Sequence, residues 1–284
     1  MAGYSSAHFE WNEEAGKTLH LRDKGLPVLA YNFGRMGHPE VPQRKWRGGY
    51  LHPIYSADGR TVLTDDFPAD HRHHRGLFWA WPKILIDGIR HDLWQYDHAP
   101  IEQRFVRWLE RGANDAYALL SVENGWFVGE RKVLVEELRL QVRQRTTEGR
   151  AMTLELRLTP TDRPITLGGA EGKGYGGLSL RLAVKNEADC TITTPLGSEH
   201  KDLMETPLAW AGISGKFPGQ ERPQGITISA APGHSAPAPA WMTRHYGCLM
   251  SCWPGKQERT LQPGETVVLR YQLIVHEGNS GDLP

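Results

Sequence analysis

Residues 151–160, AMTLELRLTP, narrow the fold more than any other stretch. Met152, Leu154, Leu156 and Leu158 fall on one side of a period-two pattern, with Thr153, Glu155 and Arg157 between them. Alternation of this kind suits a strand with one apolar and one wetted face, and a helix would scatter the same residues around its girth. The pattern recurs in TLHLRD, in GLPVLAYNFG, and through DAYALLSVENGWFVGERKVLVEELRLQVRQ with expected breaks at Asn124-Gly125 and near Gly129. GLSLRLAV, ADCTITTP, GITISAAP and TVVLRYQLIVH continue it. Lys24-Gly25 supplies a hairpin turn, and 31 glycines and 19 prolines leave room for many more. Short strands between Gly/Pro turns predict an all-β fold, a large antiparallel β-sandwich with few short helices. One such domain accommodates residues 1–284.

Helical alternatives are few. Residues 100–112, PIEQRFVRWLERG, begin with Pro, end near Gly, and space Ile101, Phe105, Trp108 and Leu109 as a helix would, though a strand fits as well. SEHKDLMETPLAW, residues 198–210, allows a helical turn before Pro207. APGHSAPAPAW, residues 231–241, reads as an extended loop.

Lysine plus arginine and aspartate plus glutamate both number 33, so no overall field favours nucleic acid or an anionic membrane as a partner. No run approaches the ~18 apolar residues of a membrane span. The N-terminal MAGYSSAHFEWNEEAGK lacks the basic and apolar regions of a secretory signal, so a cytoplasmic protein is expected. Cys190, Cys248 and Cys252 form no paired metal-binding spacing and read as reduced, partly buried thiols.

Function concentrates in residues 65–81, DDFPADHRHHRGLFWAW, which pack three histidines, two arginines and three aspartates beside two tryptophans and two phenylalanines. If residues 71–75 are extended, His71 and His73 share one face while Arg72 and His74 point to the other. An H-x-H pair of that kind suits a divalent metal, held by His71 and His73 with distant ligands such as His52, His91, His98 or Glu171. A second reading is proton transfer without metal. Imidazoles of His71, His73 and His74 would shuttle protons, Asp66, Asp70 and Arg75 would orient them or clamp hydroxyls, and Trp79 and Trp81 would offer flat faces to a sugar ring. A third is structural: a buried His/Arg network satisfied by carboxylates.

GKGYGG, residues 172–177, satisfies G-x-G-x-x-G, but a strand-like run follows it where a dinucleotide site needs a helix, so that reading is rejected. The loop reads as a hairpin or as backbone beside a ligand. Within it Glu171 is a candidate general base, with Lys173 and, on the next strand, Arg181 as candidate ligands of a substrate. WMTRHYG adds Arg244, His245 and Tyr246, with His245 a further candidate contact.

The block LHPIYSADGRTVLTDDFPADHRHHRGLFWAW resembles the signature of a bacterial family labelled methane-oxygenase PmoA-like, also carried as a domain of unknown function. The matching residues are His52, Pro53, Tyr55, Gly59, Asp66, Phe67, Pro68, Asp70, His71, His73, His74, Arg75, Gly76 and Trp79. EGKGYGGLSLRL, RHYG and the closing LQPGETVVLRYQLIVHEG extend the resemblance over roughly residues 25–278. It implies carbohydrate catabolism, because such proteins accompany sugar oxidoreductases and isomerases. The closing run is also similar to the end of galactose-mutarotase-like sandwiches, which implies a supersandwich with His73 or His74 as acid and Glu171 as base.

Together these readings predict an enzyme acting on a sugar or keto-sugar by isomerase, epimerase, or lyase/hydratase chemistry. His52, Asp66, His71, Arg75, Trp79, Lys173, Arg181 and His245 would bind its small sugar-like ligand. No cofactor is required, a divalent metal is compatible, and a homo-oligomer is allowed. The rivals are a non-catalytic sugar-binding or regulatory module and a metal-dependent oxygenase.

Overall fold

The alternating runs become long antiparallel hairpins in the computed structural model, which describes residues 8–235 and 240–279. In the strand Arg150–Pro160, Met152, Leu154, Leu156 and Leu158 are buried. It pairs with Arg131–Arg145 on one side, Leu138 opposite Leu156, and with Val267–Glu277 on the other, Leu156 opposite Leu269. Leu138, Leu156 and Leu269 therefore line up across the ladder, as do Leu140, Leu154 and Tyr271.

These strands form the middle of a nine-stranded sheet whose edge is Glu102–Ala113. A second nine-stranded sheet runs from Phe9–Glu14 through Leu26–Asn32, Tyr50–Ile54, Leu77–Ala80, Gly177–Arg181 and Cys248–Cys252 to Ala240–Arg244 and Thr206–Pro207. A four-stranded sheet built around Ile165–Gly168 completes the fold. The two large sheets share one apolar core. Trp81 lies 5.3 Å, centroid to centroid, from Trp126 of the opposite sheet, and Tyr31 donates to the Asn124 side chain across the gap. The β-sandwich expected from the sequence is the fold observed.

The hairpin at Lys24-Gly25 forms as read, with φ of 51° and 79°, the paired left-handed geometry of a tight two-residue turn. Asn124-Gly125 does not turn. The strand Tyr117–Val128 runs straight through it because the Asn124 side chain is held by Tyr31 and Glu136, and the chain reverses at Gly129 instead.

Residues 102–113 form a strand, not a helix. Two register shifts, between Phe105 and Arg107 and between Trp108 and Glu110, carry Phe105 and Trp108 to the same side. A bulge adds one residue to the period, so three-residue spacing on this edge strand imitates a helix. Both rings pack on Phe33. Residues 198–210 form no helix either; among the described residues the only helical pieces are the 3₁₀ turns Gln43–Lys45 and Glu187–Asp189.

The three cysteines are buried and unpaired, and burial pushes their thiols up to about 12. Residues 1–7 and 236–239, on which parts of the leader and loop readings fall, lie outside the described residues. Among those described, no helix is long and apolar enough to cross a membrane.

Candidate functional site

The histidine-rich segment lies on the connection between strands Tyr50–Ile54 and Leu77–Ala80. It is not extended. The His71 amide donates to the Pro68 carbonyl (3.1 Å) and the His74 amide to the His71 carbonyl (2.8 Å), two successive turns. The alternating faces expected of His71, His73 and His74 are therefore replaced by a knot that gathers all three rings. Gly76 closes this knot tightly against the neighbouring strand. A Cβ there would sit 2.3 Å from the Leu51 carbonyl oxygen, so no larger residue fits.

The rings are arranged as a stack with a flank. His71 lies between His74 (4.8 Å, 13° between planes) and Tyr246 (4.9 Å, 18°). His73 stands edge-on to His74 at 4.6 Å. Trp94 packs near His74 and meets Tyr175 at 4.8 Å. Behind the stack, the Arg181 guanidinium lies over Tyr246 at 4.6 Å and donates to both oxygens of Asp70 at 2.9 Å. Asp70 Oδ2 is also 3.0 Å from His71 Nδ1, at ion-pair range but without hydrogen-bond alignment.

These groups open onto a cleft of about 180 Å³ lined by His71, His73, His74, Trp94, Gln95, Lys173, Tyr175, Met242, Arg244, Tyr246 and Met250. Met242 and Met250 come from the sheet strands Ala240–Arg244 and Cys248–Cys252, and the other residues from the connections above them or from strand ends. The glycine loop contributes Lys173 and Tyr175. Gly174 makes this possible with a φ of 77°, at a place where a Cβ would strike the Glu205 carboxyl. A larger hollow of about 470 Å³ beside Trp253 has no such cluster, and its His234 is already bonded to the Arg270 backbone.

Electrostatics favour uncharged imidazoles. Burial, reinforced by the neighbouring His71, lowers His73 to about 4, and burial with His73 and His71 lowers His74 to about 2. Burial raises the hydroxyls of Tyr175 and Tyr246 above their ordinary range. At neutral pH His73 and His74 present neutral rings, and Tyr175 and Tyr246 present protonated phenols that donate. Burial pushes the Asp70 carboxyl up, but its contacts with His71 and Arg181 outweigh this and hold it low. Nδ1 of His71, Nδ1 of His74, and Nε and Nη1 of Arg181 are buried with no hydrogen-bond partner among the described residues. Arg75 Nε and Trp79 Nε1 are likewise buried without a partner; what distinguishes this cluster is that its orphaned nitrogens gather beside an opening.

Of the residues expected to act, the structure brings His71, His73, His74 and Lys173 to the cleft and Arg181 behind it. The others stand elsewhere. Glu171 is exposed on the turn and lines no part of the cleft. Trp79 is 1% exposed and belongs to the core, as does Trp81, so neither offers a face to a ligand. Trp94, Tyr175 and Tyr246 take that place. Arg75 is 1% exposed; it lies over Phe67 and pairs with Asp66, which accepts from Tyr50. His52 is bonded to Thr64 on the same inner layer, where burial lowers its basicity. These three hold the loop in place and touch no cleft. His245 is spent on the neighbouring loop, through Asp202 at 2.8 Å and the Glu199 carbonyl at 3.2 Å. Its flanking residues, Arg244 and Tyr246, face the cleft instead.

Among the described residues no three His, Cys, Asp or Glu side chains are grouped to hold a metal ion. Tyr175, Trp94 and Gln95 were not legible as site residues. The only hint was that two of them are aromatic residues close to glycines or acids in loops.

The fold and site define a β-sandwich with a histidine and aromatic cleft at the ends of its strands. The chain belongs to a family of unknown function, DUF6807, whose sequence model matches residues 18–282. That match lends no support to the PmoA-like label. No curated relative matches. Among solved structures, the GH36 α-galactosidase AgaB from Geobacillus stearothermophilus is similar at a TM-score of 0.54 and 11% identity, over 95% of this chain and 41% of that one. The α-galactosidase AgaA of the same organism, solved with raffinose, matches at 0.48 and 10% over 94% and 40%. A GalM/aldose epimerase homologue from C. elegans matches at 0.37 and 8% over 96% and 100%. The chain spans about two fifths of the length of the α-galactosidases it matches.

Proposed function

We propose that the cleft binds a sugar or keto-sugar and moves a proton at a carbon next to its carbonyl. The observation that carries this reading is the set of buried nitrogens of His74 and Arg181 without a hydrogen-bond partner, gathered with His71 and His73 beside a cleft walled by aromatic rings. A volume near 180 Å³ suits about one sugar ring. The α-galactosidase likeness supports a carbohydrate context through the fold alone.

His73 is the proton acceptor in this scheme. Its ring lines the cleft, is neutral at physiological pH, and has no hydrogen bond among the described residues. Tyr175 and Tyr246, kept protonated by burial, would donate to the enolate oxygen that forms as the proton leaves. His71, braced by Asp70 and by the rings on either side, positions His74 and Tyr246. Isomerisation, epimerisation and elimination all begin with this step. The role assigned from sequence to Glu171 passes to an imidazole because the carboxylate stands outside the cleft.

That same lack of a carboxylate in the cleft wall favours a second reading, a non-catalytic sugar-binding module. The two separate in deuterium oxide. Aldoses, ketoses and keto-sugars are incubated with the protein and followed by proton NMR. Loss of a C–H signal α to the carbonyl, slowed about 100-fold or more in His73→Gln, establishes catalysis. Binding without exchange across the panel leaves the binding module, and no binding at all overturns both.

A further inference from the structure

We infer that the ligand of this cleft is a sugar carrying a carboxylate, such as a uronic, aldonic or keto acid, rather than a neutral aldose. The inference rests on the sugar reading above and narrows it to a substrate class.

The cleft wall contains no aspartate or glutamate. Neutral sugar hydroxyls both donate and accept, so their recognition calls for acceptors as well as donors. The imidazoles and Gln95 can accept from hydroxyls, but the charged groups of the cleft are all donors: the Lys173 ammonium and the Arg244 guanidinium. The Lys173 ammonium has no hydrogen bond or ion pair among the described residues. Arg244 donates to the Thr243 carbonyl and stands 3.8 Å from Asp202, at the outer limit of an ion pair. About one positive charge is therefore left without a counterpart at a site rich in donors, and a planar carboxylate is the complement of that arrangement.

The bias is local, because lysine plus arginine equals aspartate plus glutamate over the whole chain. It also extends past His73 into an adjoining hollow of about 260 Å³. Arg44, Lys45, Arg47 and Arg72 line that hollow against the single carboxylate of Glu40. Arg72 is paired with Glu40 and Lys45 with Asp97, while Arg44 and Arg47 meet no carboxylate directly. Both hollows that meet at His73 are thus net positive. Cations that hold a carboxylate would also offset the second negative charge created when a proton leaves the adjacent carbon, which is where His73 stands ready to accept it.

The test is calorimetric titration of the full chain with glucose, galactose and mannose, each beside its uronate, aldonate and 6-phosphate, at low and high salt. At least one acid should bind about tenfold or more tightly than its neutral parent, with the preference shrinking in salt. Lys173→Gln and Arg244→Gln should each weaken binding of that acid about tenfold, with an unchanged circular dichroism spectrum. A neutral parent that binds as tightly as its acid overturns this inference and leaves the sugar reading intact. Tighter binding of a 6-phosphate than of either acid overturns the carboxylate and assigns the charge to phosphate. If no sugar binds in any form, the sugar reading fails and the inference with it.

Discussion

Two polar clusters are buried in this sandwich, and they differ in how completely their groups are satisfied. At the first, Glu136 is fully buried, and its oxygens accept Gln103 Nε2 (2.7 and 2.8 Å), Asn124 Nδ2 (2.9 Å) and Trp126 Nε1 (2.8 Å). Gln103 passes the charge on by accepting from Arg47 at 2.9 Å, and Arg47 also donates to the Trp79 and Leu93 carbonyls. At the second, His74 Nδ1 and two nitrogens of Arg181 have no hydrogen-bond partner among the described residues. In the first cluster only Arg47 Nε lacks a partner among the described residues; so nearly complete a network pins two sheets together, whereas the second sits at an opening and has capacity left for a ligand. The contrast separates scaffold from site without reference to any relative.

The largest test of this contrast is Glu136→Ala. Gln103, Asn124 and Trp126 would lose their acceptor and Arg47 the countercharge relayed through Gln103, and the expected loss is about 3–5 kcal/mol in urea unfolding. A loss below about 1 kcal/mol would erase the difference between the clusters. Acid comes next. His73 and His74 are depressed in the folded state, to about 4 and about 2 against an ordinary 6.5, so the unfolded chain binds their protons first. Their contribution is therefore fully present above pH 6.5 and is lost as pH falls below it, with His73's share gone near pH 4 and His74's still declining. The loss at pH 4 should be on the order of 6 kcal/mol, about 3 from each ring, read as the pH dependence of the urea midpoint. Flat stability from pH 7 to pH 4 would mean that the imidazoles are not held neutral.

His74→Phe should move function and stability apart. Removing an unsatisfied ring nitrogen while keeping a stacking face leaves stability unchanged or raises it by up to about 1 kcal/mol. Sugar binding or proton exchange should nevertheless fall more than about tenfold. A destabilised but fully active variant would reassign the second cluster to the scaffold. The smallest effect belongs to Glu171→Gln: stability within about 0.5 kcal/mol and unchanged exchange rates. A collapse of turnover there would return the general base to the glycine loop.

Much of the fold was open to reading because alternation is a local signal. Met152, Leu154, Leu156 and Leu158 had to share a face whatever they packed against, and the Lys24-Gly25 turn needs only its own two residues. Local signals failed where a distant partner intervened. Asn124-Gly125 has turn chemistry, but a carboxylate across the ladder and a phenol from the other sheet claim the asparagine. Bulges set by the neighbouring strand gave Phe105 and Trp108 a helical spacing inside a strand.

The site divides in the same way. By itself the sequence determined that one segment, residues 65–81, concentrates proton-active groups beside aromatics, and three of its histidines do line the cleft. Only the tertiary structure decided which neighbours join them. It buried Trp79 and Arg75, left Glu171 on an exposed turn, and brought Trp94, Tyr175, Arg244 and Tyr246 from three separate connections. A residue's chemical type is written in the chain. Whether its polar atoms end up satisfied, or face an opening, depends on contacts between strands far apart in sequence, and no local pattern encodes those.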